Sequence, residues 1–443
     1  MNISKLMEKA KALQIDPIEV YIQKSEKQSI EVFAQKVDAL TIAQSGGMAI
    51  RGIYNGKMGY CFVEEDSDDN IDTCLQMLME NAKSLELDEP SFIYVGDKEY
   101  PSVEVTENQL VNVDASEKIA YLKEVENKLA QSDPRIVQVM GSLMETQQVQ
   151  TQIYNSLGMD LHKRESYTVF YSSVLAQENN DNKSAYEIKV MHSFDECPID
   201  EYVSKLKDKV CSKLNATQVK TGKYKVILKN NAMSSLLGAF TGLFDGEQVY
   251  KGISKLKDKM NESIFDEKIT ILDDPLKKDG INSTPFDDEG VASYTKTVVE
   301  NGVLKLFLHN QKSAAQMNTT STGNGFKSGY ASSVGIHPTN FYIQPSDVSF
   351  DALIETMDCG LIIDEINGLH AGLNPITTDF SLQAAGYYVE NGKIVKPVNL
   401  ITVAGNFLEM MKEVEAVGSD VEDTISSASA PSILFNSLSI SGE

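Results

Sequence analysis

The apolar residues near the start of the chain predict a small unit of helices and strands. Its first helix is predicted from apolar positions that recur every three or four residues: Ile3, Leu6, Met7, Ala10 and Leu13. Strand-like runs follow, and Asn55-Gly56 is typical of a type I′ hairpin turn, because both central positions of that turn need a positive φ. Apolar residues return to helical spacing from Ile71 to Leu78. We therefore predict a first α+β unit over residues 1–105.

A second unit, over residues 106–218, is predicted from two further helical patterns. Asp114 stands three residues before Glu117 at the start of an apolar stripe, which resembles a capping box, and Pro134 ends that stripe. Extended segments follow. Pro198 then precedes another apolar stripe, which fits a helix because proline is tolerated in a helix's first turn.

The pattern changes near residue 220, after which short apolar segments alternate with turns. Val-Glu-Asn-Gly occurs at 299–302 and again at 389–392, which predicts two hairpins. A small-residue helix is predicted over 232–243, and the polar segment 318–335 is predicted to be a mobile surface loop. We predict an α+β protein in which N-terminal α/β units precede a large antiparallel, β-rich, barrel-like C-terminal domain over residues 219–443.

Charge and cysteine content indicate which partners and which cellular compartment to expect. The chain has 40 Lys and Arg against 64 Asp and Glu, a formal charge of −24. This charge argues against direct binding to nucleic acid or to an anionic membrane surface, since both need clustered basic residues. The five cysteines are scattered, with no CxxC pair, and no apolar stretch approaches the ~20 residues of a membrane span. We expect a cytoplasmic protein that does not enter the membrane.

Motifs for catalysis are largely missing from the sequence. The five histidines lie at least 28 residues apart, so no helix can present two of them to a metal, and no GxSxG elbow occurs. One acidic segment, Ser283–Gly290, holds Asp287, Asp288 and Glu289 in a row. These carboxylates could act as general acid and base or bind a cation, or they could hydrogen-bond the backbone of a rigid turn. A hydrolase built on them would require raised carboxyl pKa values in a cleft.

A series of short phrases resembles the TldD/PmbA family, whose members were once described as modulators of DNA gyrase. The phrases occur in order over almost the whole chain, beginning with Arg51-Gly52. The others are STPFDDEG at 283–290, STG at 321–323, TDFS at 378–381, AAGY at 384–387, VENG at 389–392, PV at 397–398 and TVAGN at 402–406.

The resemblance implies a two-subunit metalloprotease that trims unfolded peptides, including leader segments of peptide antibiotics and an antitoxin. In that family one subunit, TldD, carries HExxxH on a helix and a further cysteine ligand for zinc, whereas PmbA (TldE) lacks the histidines and completes a closed chamber. Here Gly238 and Leu243 occupy the histidine positions, Ala239 that of the general-base glutamate, and Ala430 aligns with the cysteine. The chain therefore resembles the PmbA type.

Several expectations about function follow from this resemblance. The chain itself is expected to bind no catalytic metal and to have no peptidase activity alone, with zinc in a TldD-like partner. The expected peptide cleft is lined by Phe286, Asp287, Glu289, Thr322, Gly323 and Gly325, with segment 318–335 as its gate. A non-enzymatic homodimeric scaffold that binds peptides or a protein such as gyrase is the alternative. The sequence leaves open whether the dimer is homomeric or heteromeric, and what the natural substrate is.

Overall fold

An antiparallel sheet dominates the N-terminal half of the chain. The computed structural model describes residues 1–64, 67–85, 92–422 and 425–443. The sheet has the order β3-β2-β1-β4-β5-β6. Its strands are β1 (Ile18–Phe33), β2 (Lys36–Tyr54), β3 (Lys57–Val63), β4 (Ile136–Asn155), β5 (Asp160–Glu178) and β6 (Asp181–Met191). The helices of this half are α1 (Ile3–Ala12), α2 (Ile71–Ser84), α3 (Ala115–Ser132) and α4 (Ile199–Cys211), with short 3₁₀ turns at Asp68–Asn70, Gln109–Asn112 and Phe194–Glu196.

The predicted turn and helix cap in this half of the chain are confirmed. Asn55 and Gly56 both have positive φ, 50° and 77°, in the turn between β2 and β3. Asp114 caps α3 by accepting a hydrogen bond from the backbone N–H of Ser116. Glu19 of β1 pairs with Asn155 of β4, so strands from both predicted N-terminal units share a single sheet.

All four helices pack on one face of the sheet, which curves into a half-barrel. Helices α1 and α2 cover one end through residues such as Leu6 and Leu75, and α3 and α4 cover the other through Leu122 and Leu206. Because successive side chains of a strand point to opposite faces, the residues between these contacts, such as Tyr21, face the other way. We call this second side the open face. Within the described ranges no helix is long and apolar enough to span a membrane.

The C-terminal half is β-rich, and its helices are short. Its strands are β7 (Gly222–Leu228), β8 (Ile271–Asp273), β9 (Lys296–Glu300), β10 (Val303–Leu304), β11 (Gly325–Phe326), β12 (Gly335–Ile336), β13 (Phe341–Ile343), β14 (Gly360–Asn367), β15 (Asp379–Glu390), β16 (Lys393–Asn406), β17 (Val414–Val417), β18 (Ala428–Ser429) and β19 (Ile433–Ser441). Its helices are α5 (Asn230–Ala239), α6 (Gly246–Tyr250), α7 (Gln311–Gln316), α8 (Phe350–Met357), α9 (Leu369–Gly372) and α10 (Phe407–Met410), and Thr241–Phe244 forms a 3₁₀ turn.

Two sheets and the helix α5 enclose the main core of this half. One sheet has the order β16-β15-β14-β7-β19-β17, and the other, β10-β9-β8-β13-β18, forms a small barrel. Helix α5 contributes Met233 and Leu237 to a core that also contains Phe341 and Phe407. The predicted α+β class and the β-rich C-terminal domain are confirmed.

Two local predictions for the C-terminal half need correction, while the hairpins hold. Asn301-Gly302 and Asn391-Gly392 both have positive φ in hairpin turns, as predicted. The predicted helix over 232–243 instead ends at Ala239 and continues as a 3₁₀ turn. The surface-loop prediction for 318–335 is wrong for Thr322–Gly325, which is buried; Asn324 donates a hydrogen bond to Asp273, and the N–H of Gly325 donates one to Asp287.

Candidate functional site at the domain junction

The acidic turn, residues 283–290, lies where the open face of the N-terminal sheet meets the C-terminal domain. Phe286 at its centre packs with Tyr21, Ile153 and Met159 of the N-terminal half. Tyr100 adds an edge-to-face contact, with ring centroids 5.8 Å apart. The turn is thus part of the contact between the two halves of the molecule.

Asp287 organises the backbone of this turn. Its Oδ1 accepts hydrogen bonds from the N–H groups of Glu289 (3.0 Å) and Val291 (2.9 Å), and its Oδ2 accepts one from Gly325 (2.9 Å). A Cβ at Gly325 would lie 2.5 Å from Oε2 of Glu289 and 3.1 Å from Oδ2 of Asp287, so only glycine fits there. The hydrogen bonds expected of a rigid turn are therefore present.

Asp288 forms the turn's ion pair with the N-terminal sheet. Its Oδ1 lies 3.3 Å from Nζ of Lys163 on β5, and both side chains are almost fully buried. Lys163 also donates to Oγ1 of Thr284 (3.2 Å) and to the carbonyl of Phe286 (3.3 Å). These three oxygens match the three N–H donors of the Lys163 ammonium.

Glu289 faces a second charged group of the sheet. Its Oε2 accepts the backbone N–H of Gln311 at 2.7 Å. Nearby, Arg51 of β2 donates two hydrogen bonds to Glu19 of β1, at 2.6 and 3.1 Å. The positive charge of Arg51 favours the ionised form of Glu289 and opposes the effect of burial on its pKa.

The two carboxyl groups of Asp287 and Glu289 titrate together. Burial, and then the charge of Glu289, raises the pKa of Asp287 to about 8. Burial also raises the pKa of Glu289. Two carboxylates this close in a buried site resist double ionisation, so we expect the pair to retain a proton near neutral pH.

A cleft of about 740 Å³ adjoins the acidic turn between the open face and the C-terminal domain. We call it the junction cleft. Its apolar wall is formed by Leu143, Val149, Tyr167, Val169, Ile281, Phe326 and Pro338. Asp288, Lys163 and Lys327 provide charge beside the acidic turn, and Glu145, Glu165 and His337 also line the cleft. Sequence reasoning missed Lys163 and Lys327, because no spacing pattern connects them with residues 283–290.

The remaining predicted cleft residues lie beneath this surface. Thr322 accepts the backbone N–H of His309 at 2.7 Å and donates to Asn324 at 2.7 Å. Gly323 has a φ of +69°, which favours glycine. The structure brings Phe286, Asp287, Glu289, Thr322, Gly323 and Gly325 into one region, with all six buried. Contact of these residues with a peptide stays a prediction.

The positions that the family resemblance predicts to align with zinc ligands lie elsewhere, around α5. Leu243 is a core residue, and Ala430 is fully buried. Ser234 of α5 accepts the backbone N–H of Ala430 at 2.8 Å, so the helix and this segment are neighbours. A Cβ on Gly238 would lie 3.4 Å from that of Ala428.

These positions do not fit a zinc ion. None of Gly238, Ala239, Leu243 and Ala430 has a side-chain donor atom. In the part of the chain that the structure describes, no three His, Cys, Asp or Glu side chains are grouped as metal ligands.

Comparison with known proteins gives a match along most of the chain. Residues 18–82, 108–214 and 221–442 match domain 1, the central domain and the C-terminal domain of the PmbA/TldA metallopeptidases. The chain is 28% identical over 432 residues to Metalloprotease PmbA of Escherichia coli O157:H7, covering 97% of this chain and 93% of that protein.

Two solved structures share the fold. A Thermotoga maritima protein, described as a proposed modulator of a DNA gyrase, matches with a TM-score of 0.92 and 30% identity over 99% of both chains. TldE from Thermococcus kodakarensis matches with a TM-score of 0.90 over 99% of this chain and 100% of that one. Its 21% identity supports the fold alone.

Proposed function

Because this chain belongs to the PmbA/TldD metallopeptidase family, we propose that it is the non-catalytic subunit of a heterodimeric metalloprotease that processes unfolded peptides. One observation carries this proposal: Gly238, Ala239, Leu243 and Ala430 stand at the aligned zinc positions without a donor atom. Catalytic zinc needs three protein ligands and an open coordination position. We therefore assign the zinc and the peptide cleavage to a TldD-like partner.

The open face supports a role as one wall of a peptide chamber. Beyond the junction it presents Tyr186, which is 54% exposed, and Ile188. The ring of Tyr171 lies beside that of Tyr186, with centroids 5.8 Å apart. Exposed aromatic and aliphatic groups on a sheet suit extended chains, whose backbone and side chains are accessible, better than folded proteins. The five cysteines are unpaired, which supports a reducing cytoplasm as the location.

Co-expression with a relative that carries HExxxH tests this function. We expect a stable complex that digests an unfolded peptide, loses activity with a chelator and regains it with zinc. Each chain alone is expected to be inactive. The matched control replaces the glutamate of the partner's HExxxH by glutamine, which should preserve the complex and abolish cleavage. Chelator-sensitive cleavage by this chain alone, or failure of the two chains to associate, would overturn the proposal.

A homodimeric scaffold that binds a protein partner is the second candidate. The resemblance to the Thermotoga maritima protein, described as a proposed modulator of a DNA gyrase, favours it. This candidate predicts a homodimer in sizing experiments and a change in gyrase supercoiling when the chain is added. A monomer with no effect on supercoiling would eliminate it.

A further inference from the structure

The junction cleft combines an apolar wall with the charged residues beside the acidic turn, an arrangement that suits an extended ligand with a single charged group. Its two other acidic residues already have partners. Glu145 lies 2.6 Å from Lys27, and Glu165 lies 3.9 Å from Lys163. A ligand that enters the cleft therefore meets apolar surface over most of its length.

The two lysines of the cleft differ in their partners. Lys163 is held by Asp288 and two further oxygens, as described above. The ammonium of Lys327 instead lies 4.1 Å from the ring centroid of Tyr21. Among the residues that the structure describes, no carboxylate oxygen lies within 4.0 Å of it. Lys327 thus has a cation–π contact but no counter-ion in direct contact.

The surroundings of Lys327 explain why this ammonium remains unpaired. Glu19, Asp288 and Glu289 act on it from a distance, and Arg51 repels it. Each of these carboxylates is in contact with a different partner. Glu19 accepts hydrogen bonds from Arg51, Asp288 forms an ion pair with Lys163, and Glu289 accepts a hydrogen bond from the backbone N–H of Gln311. Burial, together with Arg51, lowers the pKa of Lys327 to about 8, so at pH 7 the side chain is mostly charged.

We propose that the junction cleft binds the carboxylate of an extended peptide, with the Lys327 ammonium as its counter-ion and the apolar wall holding the residues next to it. This site rests on the proposed peptide-processing function. A carboxylate supplies one negative charge to the lysine of the cleft that, within the described ranges, has no counter-ion in contact. A doubly charged phosphate fits less well, because Asp288 and Glu165 also line the cleft.

The chain's net charge of −24 makes this cation distinctive. The summed negative charge of the chain repels acidic groups at long range. A carboxylate therefore binds where a local positive charge, such as that of Lys327, outweighs this repulsion. The carboxylate can come from the peptide's C-terminus or from an acidic side chain. The two sources share the same chemistry at Lys327.

Fluorescence anisotropy with the full chain alone tests the site. Three labelled, unstructured peptides share one sequence: one has a free C-terminal carboxylate and no other acid, one is amidated, and one is amidated with a single internal glutamate. At pH 7 we expect amidation to weaken binding by about tenfold, and Lys327→Met to weaken binding of the free acid by about as much. Lys327→Met should leave the affinity for the amidated peptide unchanged.

Matched variants separate a lost charge from a lost fold. Lys327→Arg should retain the preference for the free acid, and Lys327→Gln should repeat the loss seen with Lys327→Met. Lys223→Met, at an exposed lysine of β7, should change neither affinity. Recovery of tight binding by the internal glutamate identifies a side-chain carboxylate as a source, and its failure identifies the C-terminus. Either result supports the site.

Three results would overturn the site: equal affinity for acid and amide, equal weakening of both by Lys327→Met, or no binding of any peptide up to about 1 mM. Because this experiment omits the partner, its failure differs from failure of the proposed function. If the free acid and the amide bind equally well while this chain and its HExxxH partner still cleave peptide normally, only the carboxylate site at Lys327 is refuted. Carboxylate-dependent binding without assembly or cleavage refutes only the protease role.

Discussion

The core around helix α5 and the acidic turn both contain buried residues, but of different kinds. Around α5, Leu243 and Ala430 are apolar and lie in the domain core. In the acidic turn, Asp287 and Glu289 are 0% and 4% exposed, and Arg51 faces Glu289 from the other half of the chain. Apolar burial stabilises by removing surface from water, whereas buried charges are costly unless they remain paired. The first region therefore depends on packing, and the second depends on every charge keeping its partner.

Removing one charge from the junction should have the largest effect. Arg51→Met leaves Glu19 and Glu289 buried without their cation, so we expect a loss of about 3–5 kcal/mol in the free energy of unfolding, measured by urea denaturation. Lys259→Met is the control, because Lys259 and its partner Glu262 are about half-exposed. Its effect should be far smaller than that of Arg51→Met, because an exposed ion pair contributes little to stability. Similar losses in the two variants would contradict the contrast between buried and exposed charge.

The second-largest loss of stability is expected from removing apolar volume near α5. Leu243→Ala opens a cavity in the core and should lower the free energy of unfolding by about 3 kcal/mol. Gly238→Ala is the contrasting variant, since its added Cβ meets Ala428 only at 3.4 Å and alanine favours a helix. We expect Gly238→Ala to be neutral or to stabilise by up to about 1 kcal/mol. If Leu243→Ala proved harmless, position 243 would not be a packing site.

The pH dependence of stability should distinguish the acidic turn from an apolar region. The folded chain holds its carboxyl proton more tightly than the unfolded chain, because the pKa of Asp287 is raised to about 8 and that of Glu289 is also raised. Unfolding then releases a proton, and stability falls as pH rises from about 4 to 8, by up to about 1.4 kcal/mol per pH unit.

Glu289→Gln should flatten this dependence, because it removes one carboxyl of the pair. Urea denaturation of both proteins across this pH range measures the difference. Parallel stability curves for the variant and the original chain would show that the pair does not hold the proton.

The smallest effect is expected at a single hydrogen bond near α5. Ser234→Ala removes the acceptor of the buried Ala430 N–H and should cost about 1 kcal/mol. Ser235→Ala tests the neighbouring exposed serine, whose hydroxyl donates within the helix to Asn231. We expect a change within about 0.5 kcal/mol there. Thermal unfolding of the two variants makes the comparison, and a reversed order would be inconsistent with this contact.

Local sequence signals predicted much of the secondary structure. The Asp114 cap, the Asn-Gly turns and the helix from Ile71 each follow from short-range rules, so they can be found without tertiary information. The lengths of β1 and β2 could not be found this way. Neighbouring residues such as Ile42 and Ala43, which point to opposite faces of β2, are both exposed, so no alternation marks the strand.

The candidate site was only partly predictable, for a different reason. The phrase at 283–290 identified the acidic turn, and Arg51 belonged to another phrase of the family. Nothing local connects them with Lys163 of β5 or with Lys327 of the loop after β11. They are close to the acidic turn because the two halves of the molecule dock against each other. Local sequence patterns do not predict such long-range contacts.

The strand order of the two large sheets determines when each half can finish folding during synthesis. Strand β1 pairs with β4, so the first hairpins keep an unpaired edge until Asn155 has been made. Strand β7 pairs with β19, so the C-terminal sheet cannot be completed until the residues from Ile433 onward have been synthesised. Such distant pairings are slow to form and leave edges open to wrong partners. The charged junction between the halves, which needs both, should therefore be the last part of this chain to become resistant to proteolysis as it leaves the ribosome.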